Sequence, residues 1–187
     1  IARLIAEVYH GLGVLSKGHL VETDRSGLVA GYVGQTALKV RDVTAKALGG
    51  VLFVDEAYAL GGRDSHDFGH EAIETLLKVM EDHRSDFVVI VAGYPEKMEK
   101  FFSSNPGLAS RFTRYLRFED YTPGQLVEIF GRFCEKGRYT LTVEAQAKIS
   151  RVFAQYHAVK DERFGNARLA RNEFERAIND QASRIVR

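Results

Sequence analysis

The chain has 187 residues, 45% of them hydrophobic and 27% charged, with 26 Lys and Arg against 25 Asp and Glu for a formal net charge of +1. That balance supplies no global attraction to nucleic acid or to an anionic membrane, and the single cysteine, Cys134, excludes an internal disulfide framework or a cysteine-rich zinc site. No apolar run approaches the roughly 18 residues of a membrane span, and no basic segment leading into an apolar stretch marks a signal peptide, so a reducing, cytoplasmic setting is expected.

The first stretch places Ile1, Leu4, Ile5, Val8, Tyr9 and Leu12 at helical spacing, with Gly13 as a stop. No capping residue precedes it, and a missing upstream segment is expected. His19–Thr23 reads as a short strand, residues 24–33 as a loop, and about 34–48 as a helix closed by Gly49-Gly50. Val51-Leu52-Phe53-Val54 is a continuous apolar run, as expected of a strand buried on both faces. A glycine-rich loop comes next, then a helix carrying Ala72, Ile73, Leu76, Leu77 and Met80 to about His83, then a second buried strand over Phe87–Ala92. Residues 95–102 read as a short helix with Pro95 at its start, and Tyr115–Phe118 as a further strand. From Thr122 the pattern changes to helices only, roughly 122–136, 143–157 and 166–186. Strands alternating with helices and then helices alone predict an α/β parallel-sheet core over 1–120 and a small all-helical subdomain over 121–187.

The strongest chemical signal is Asp55-Glu56, directly after the apolar strand. In open α/β sheets, ligands bind beyond the C-terminal ends of the strands. In nucleotide hydrolases an acidic residue there helps to hold Mg²⁺, and a second carboxylate orients or deprotonates the attacking water. Asp55 fits the first role and Glu56 the second. The phosphate-cradling G-x-x-x-x-G-K-[ST] is absent, and the chain has no Gly-Lys dipeptide.

VLFVDEAYAL, GYPEKMEKFFSSNPGLASRF and FGNARLARNEFERA resemble the AAA+ ATPases of the CbbX/CfxQ and stage V sporulation protein K group, which includes the red-type rubisco activases. The resemblance covers essentially the whole chain in order. It implies an AAA+ core lacking its first strand and phosphate loop, followed by a helical lid. It further implies an ATPase using ATP and Mg²⁺, assembled as a homo-oligomeric ring, a hexamer, that remodels a protein substrate, with rubisco one possibility. The roles it implies are Asp55 and Glu56 as the Walker B pair, Asp55 reaching Mg²⁺ through water. Arg111 is the arginine finger acting on a neighbouring subunit's nucleotide, and Arg168 the sensor 2 arginine that couples nucleotide state to the angle between subdomains. Tyr32-Val33-Gly34 is the pore loop that grips the substrate, with Gly61–Gly69 a second pore-facing loop. The sensor 1 position falls at Tyr94, with Asn105 a nearby polar alternative as a nucleotide-binding residue. Ser103–Gly107 has the composition of a turn suited to presenting a finger.

Other readings of the same residues are blander. Arg111, Arg114 and Arg117 among Phe112, Tyr115 and Phe118 do not share one face of a strand, so no nucleic-acid partner is expected. His66 and His70, with Asp64 and Asp67 nearby, read as a polar loop entering a helix rather than a metal site. Cys134, among Ile129, Phe130 and Phe133, reads as a buried thiol. The alternative function is a truncated or degenerate AAA+ domain acting as a non-hydrolysing scaffold, motivated by the missing phosphate loop.

Overall fold

The computed structural model describes residues 1–32, 34–61, 67–161 and 164–185, which form two compact units, Ile1–Leu116 and Arg117–Arg187. In the first, β1 (Leu20–Thr23), β2 (Val51–Val54) and β3 (Val88–Val91) make a parallel sheet in the order β1-β2-β3, with Leu20 opposite Val51 and Val51 opposite Val88. Parallel neighbours need crossover connections. α2 (Arg25–Leu28) and α3 (Gln35–Ala47) join β1 to β2, and a tight turn (Ala57–Leu60) with α4 (Gly69–Asp82) joins β2 to β3.

Side chains alternate across the sheet with a period of two. Leu52 and Val54, with Val21, Val89 and Val91, pack on the main core beside Val40 of α3 and Ile73 and Leu76 of α4. Val51, with Leu20, Val88 and Ile90, packs the other way, on Leu15 and on Ala6 of α1 (Ala2–Gly11). Both faces are therefore covered, which is why β2 is apolar at every position. Val51, Leu52 and Val54 are fully buried, each worth roughly 1.5–3 kcal/mol relative to exposure.

Three expectations need correction. The segment 24–33 is not all loop: Asp24 caps α2 by accepting from the Gly27 N–H at 3.1 Å. A single helical turn has no periodicity to detect. The run Phe87–Ala92 yields a half-buried edge strand, since among the described residues β3 pairs only with β2. Tyr115–Phe118 is not a strand: no ladder partner accompanies it among the described residues, and Tyr115, Leu116 and Phe118 are exposed. An apolar run reads the same whether or not a neighbouring strand exists to complete it.

After β3 come α5 (Pro95–Ser103) and α6 (Pro106–Arg111). The second occupies the place expected to be a turn before Arg111, because Asn105 caps it and Pro106 fits the first helical position.

The second unit holds α7 (Pro123–Lys136), α8 (Val143–Ala158) and α9 (Asn166–Ile185). Thr122 and Gln125 form a reciprocal capping box at α7, and Thr142 caps α8. Leu126, Phe130, Cys134, Phe153 and Ala170 make its core, with the Phe174 ring edge-on to Phe130 at 6.0 Å and stacked on Phe133 at 5.9 Å. Burial pushes the Cys134 thiol up, as suits a packing residue rather than a nucleophile. Among the described residues no helix is long and apolar enough to cross a membrane.

Candidate functional site

The Asp55 N–H donates to Thr23 O at 2.9 Å, carrying the ladder one residue past β2. The chain then turns sharply. The Glu56 N–H donates to Asp55 Oδ1 at 3.0 Å, Ala59 N to Glu56 O at 2.8 Å, and Ala57 N to Ala92 O at 3.0 Å. With Ala57 buried and tied to the end of β3, Glu56 is left in the left-handed region at φ 48 and ψ 42. That conformation costs a side-chain-bearing residue about 1–2 kcal/mol and persists only where its surroundings impose it. Both carboxylates are exposed at the C-terminal edge of the sheet.

They border an open groove of about 470 Å³. Its other wall is α2 with the residues flanking it: Asp24, Arg25, Ser26, Val29, Ala30 and Gly31. This wall is fastened from α3. Buried Thr36 accepts from the Ala30 N–H at 3.1 Å, and Lys39 Nζ donates to Ser26 O at 2.6 Å and Val29 O at 3.0 Å. Beyond these bonds Tyr32 projects with 74% of its surface exposed. Gly34 then caps α3 at φ 78; a Cβ there meets nothing within 4 Å, so glycine serves the backbone rather than the space. Val33 lies outside the described residues, as do residues 62–66 of the loop Gly61–Gly69 and hence Asp64 and His66. Among the described residues no group of His, Cys, Asp and Glu has the makings of a metal centre.

Behind Glu56, Tyr58 and Tyr94 lie with ring centroids 6.4 Å apart, and Lys97 Nζ sits 4.7 Å from the first ring and 5.3 Å from the second. Burial raises the Tyr58 hydroxyl first, and the Glu56 carboxylate raises it further. Tyr94 stands at the N-cap of α5, half exposed.

Arg111 ends α6, and its Nη2 lies 3.4 Å from Glu81 Oε2 near the end of α4, with about a third (32%) of the side chain exposed. Glu81 also pairs with Arg84 at 3.5 Å. Asn105 accepts from the Gly107 N–H at 2.8 Å, which holds the turn that starts α6. Arg168 lies in the first turn of α9 in the second unit, exposed, its N–H donating to Gly165 O at 2.9 Å. Beside it, Asn166 does structural work that its motif does not announce. Its Oδ1 accepts from the Tyr121 N–H at 2.9 Å, and its Nδ2 donates to Asp120 Oδ1 at 2.8 Å. Asp120 also takes Lys160 Nζ at 3.0 Å, and the bonds from Asn166 and then Lys160 hold its carboxyl below the usual range.

Sequence reasoning missed Thr36, Lys39, Arg25 and Tyr58. Thr36 and Lys39 lie three apart on one face of α3, the only local signal that both serve one loop.

Residues 1–120 match the family described as ATPase family associated with various cellular activities (AAA), and residues 122–187 match the AAA lid domain. Stage V sporulation protein K of Bacillus subtilis is 44% identical over 187 residues, covering 100% of this chain and 58% of that protein. The chloroplastic ribulose bisphosphate carboxylase/oxygenase activase of Cyanidioschyzon merolae is 46% identical over 188 residues, 99% of this chain and 63% of its own length. Protein CbbX of Cereibacter sphaeroides is 44% identical over 186 residues, 99% and 60% respectively. The chain thus spans about three fifths of the length of these relatives.

Proposed function

The chain belongs to the ATPase family associated with various cellular activities, and from that premise we propose that it hydrolyses Mg·ATP between the subunits of a ring and uses the energy to remodel a protein substrate. In this reading residues 1–120 are the nucleotide-binding subdomain and 121–187 its lid. The observation that carries it is the placement of Asp55 and Glu56. The sheet ends in two exposed carboxylates, one of them on a left-handed backbone, across a groove from the root of the Tyr32 segment.

The oxygen-donor carboxylate of Asp55 suits Mg²⁺, a hard cation that keeps most of its waters. The chain contains no Gly-Lys dipeptide, so the lysine of the phosphate cradle is not among these residues, and nucleotide binding belongs to the intact protein. Bound Mg·ATP supplies the electrophilic phosphoryl group and the charge that the protein must offset. Glu56 accepts the proton of the attacking water. Arg111 leaves Glu81 to meet charge developing on a neighbour's nucleotide, an effect of about 10³–10⁵ in rate. Its pairing with Glu81 is partly exposed and therefore weak enough to exchange. Asn105 fixes the turn that leads to Arg111 and is the polar candidate beside Tyr94 for contact with the nucleotide, and Arg168 reports nucleotide state to the lid. Tyr32, with Val33 and Gly34, grips the polypeptide; ribulose bisphosphate carboxylase/oxygenase, for which one of the relatives is named, is one candidate substrate.

In the intact protein, Glu56→Gln is expected to hold ATP without turning it over, and Arg111→Ala to bind ATP but lose hydrolysis. Normal turnover by both variants sinks the proposal. The missing Gly-Lys dipeptide favours a second reading, a non-hydrolysing scaffold; it requires that the intact protein bind no ATP at millimolar concentration.

A further inference from the structure

Arg25 is the first residue of α2, yet its guanidinium serves two other elements. Nη1 donates to Ala59 O at 2.6 Å, in the turn that Glu56 begins. Nη2 donates to Asp67 Oδ1 at 2.6 Å. The same oxygen accepts from the Gly69 N–H at 2.9 Å and so ties the start of α4. The Asp67 carboxylate is only 12% exposed and the Arg25 side chain 34%. A charge-assisted pair so far withdrawn from water is stronger and more directional than a surface pair. The contact is also sterically fixed. A Cβ on Gly69 would fall 2.1 Å from Leu60 O and 3.1 Å from Arg25 Nη1, so only glycine lets α4 approach this closely.

The connectivity gives the bridge its meaning. From Arg25 the chain runs through α2 into Val29–Gly31, fastened by Lys39 and Thr36, and out to Tyr32. From Ala59 it runs back two residues to Ala57, and then to Glu56. One planar fork thus joins the root of the Tyr32 segment to the turn that aims Glu56. A lysine has the charge but not the fork, and cannot hold both acceptors in this geometry.

We propose that Arg25 is a positioning residue that couples the Tyr32 segment to the Glu56 turn, through its simultaneous bonds to Ala59 and Asp67. What the two ends do rests on the function proposed above; the mechanical link does not.

Amide hydrogen exchange on the intact protein tests it, with Arg25→Lys as the variant and Mg·ATPγS as the probe. Without nucleotide, Arg25→Lys is expected to accelerate exchange in residues 26–32 and in 57–60 together, by about tenfold or more, with α7 and α8 unchanged. Acceleration of one segment alone, or of neither, overturns the coupling. With Mg·ATPγS, the wild-type protein is expected to change protection in both segments. Arg25→Lys is expected to keep the change at 57–60 and lose it at 26–32, which a merely stabilising contact does not predict. A variant that keeps both changes overturns the proposal. If the wild-type protein takes up no nucleotide, the ATPase reading fails and the nucleotide-free comparison still decides the coupling. If Arg25→Lys does not fold, Asp67→Asn, which retains an acceptor for the Gly69 N–H but loses the charge, is measured by the same two comparisons.

Discussion

Glu56 is held at φ 48 and ψ 42 with its side chain exposed and its carboxylate beside the Tyr58 hydroxyl, so variants that lose the carboxylate alike separate the backbone cost from the chemistry. Two substitutions isolate it. Glu56→Ala removes the carboxylate but keeps a Cβ in the left-handed region; Glu56→Gly removes both. Leaving that region unstrained is worth about 1–2 kcal/mol, while glycine's greater freedom in the unfolded chain returns about 0.4–1 kcal/mol. The glycine variant is therefore expected to be more stable than the alanine variant by about 0.8 kcal/mol, the difference between the middles of these two ranges. With the usual dependence on urea, the unfolding midpoint rises by roughly 0.3–0.5 M. Far-UV circular dichroism against urea, at constant slope, is the assay. Both variants lack the carboxylate and are expected to lose hydrolysis alike, so the stability order does not depend on activity. An alanine variant as stable as the glycine variant, or more so, refutes a site held under backbone strain.

Three further outcomes concern the second unit. Phe153 is fully buried against Phe130, and Phe153→Ala is expected to cost about 3–5 kcal/mol, read by the loss of the corresponding unfolding transition. Thr122→Ala removes the hydroxyl that accepts from the Gln125 N–H and leaves the Thr122 N–H bonded to Gln125 Oε1; it is expected to cost about 1 kcal/mol in the same measurement. Asp120 has a folded-state pKa depressed first by Asn166 and then by Lys160. Its contribution is present above the unfolded value and disappears as pH falls through the folded one, so the window lies below about pH 4. Asp120→Asn is expected to flatten the acid limb of stability there and leave its shape at neutral pH unchanged; an unaltered acid limb contradicts the role given to Asp120.

What was legible in the sequence is what local order encodes. Val51–Val54 followed by Asp55-Glu56 carries its own burial and its own edge, and the change of pattern at Thr122-Pro123 announces α7. The family was legible in the same way, from motifs read in chain order. Less legible was everything set by a distant partner. Arg25 and Asp67 are 42 residues apart, and no periodicity joins them. Phe87–Ala92 looks like a central strand because composition does not say whether a second neighbour exists. Tyr115–Phe118 has strand composition without a ladder to enter, and Arg111 sits on a short helix because one asparagine cap outweighs the turn tendency around it. In the motif around Arg168 the arginine drew the functional reading, while Asn166 does the bonding.

In the proposed ring one active site takes Glu56 from one subunit and Arg111 from the next, and mixing two variants exposes that sharing. Glu56→Gln and Arg111→Ala proteins, each inactive alone, are combined in equal amounts under conditions that exchange subunits, and ATP hydrolysis is followed. Random assembly places an intact Glu56 beside an intact Arg111 at about a quarter of the interfaces, so activity approaching a quarter of the wild-type rate is predicted. A mixture as inactive as its components contradicts a shared site.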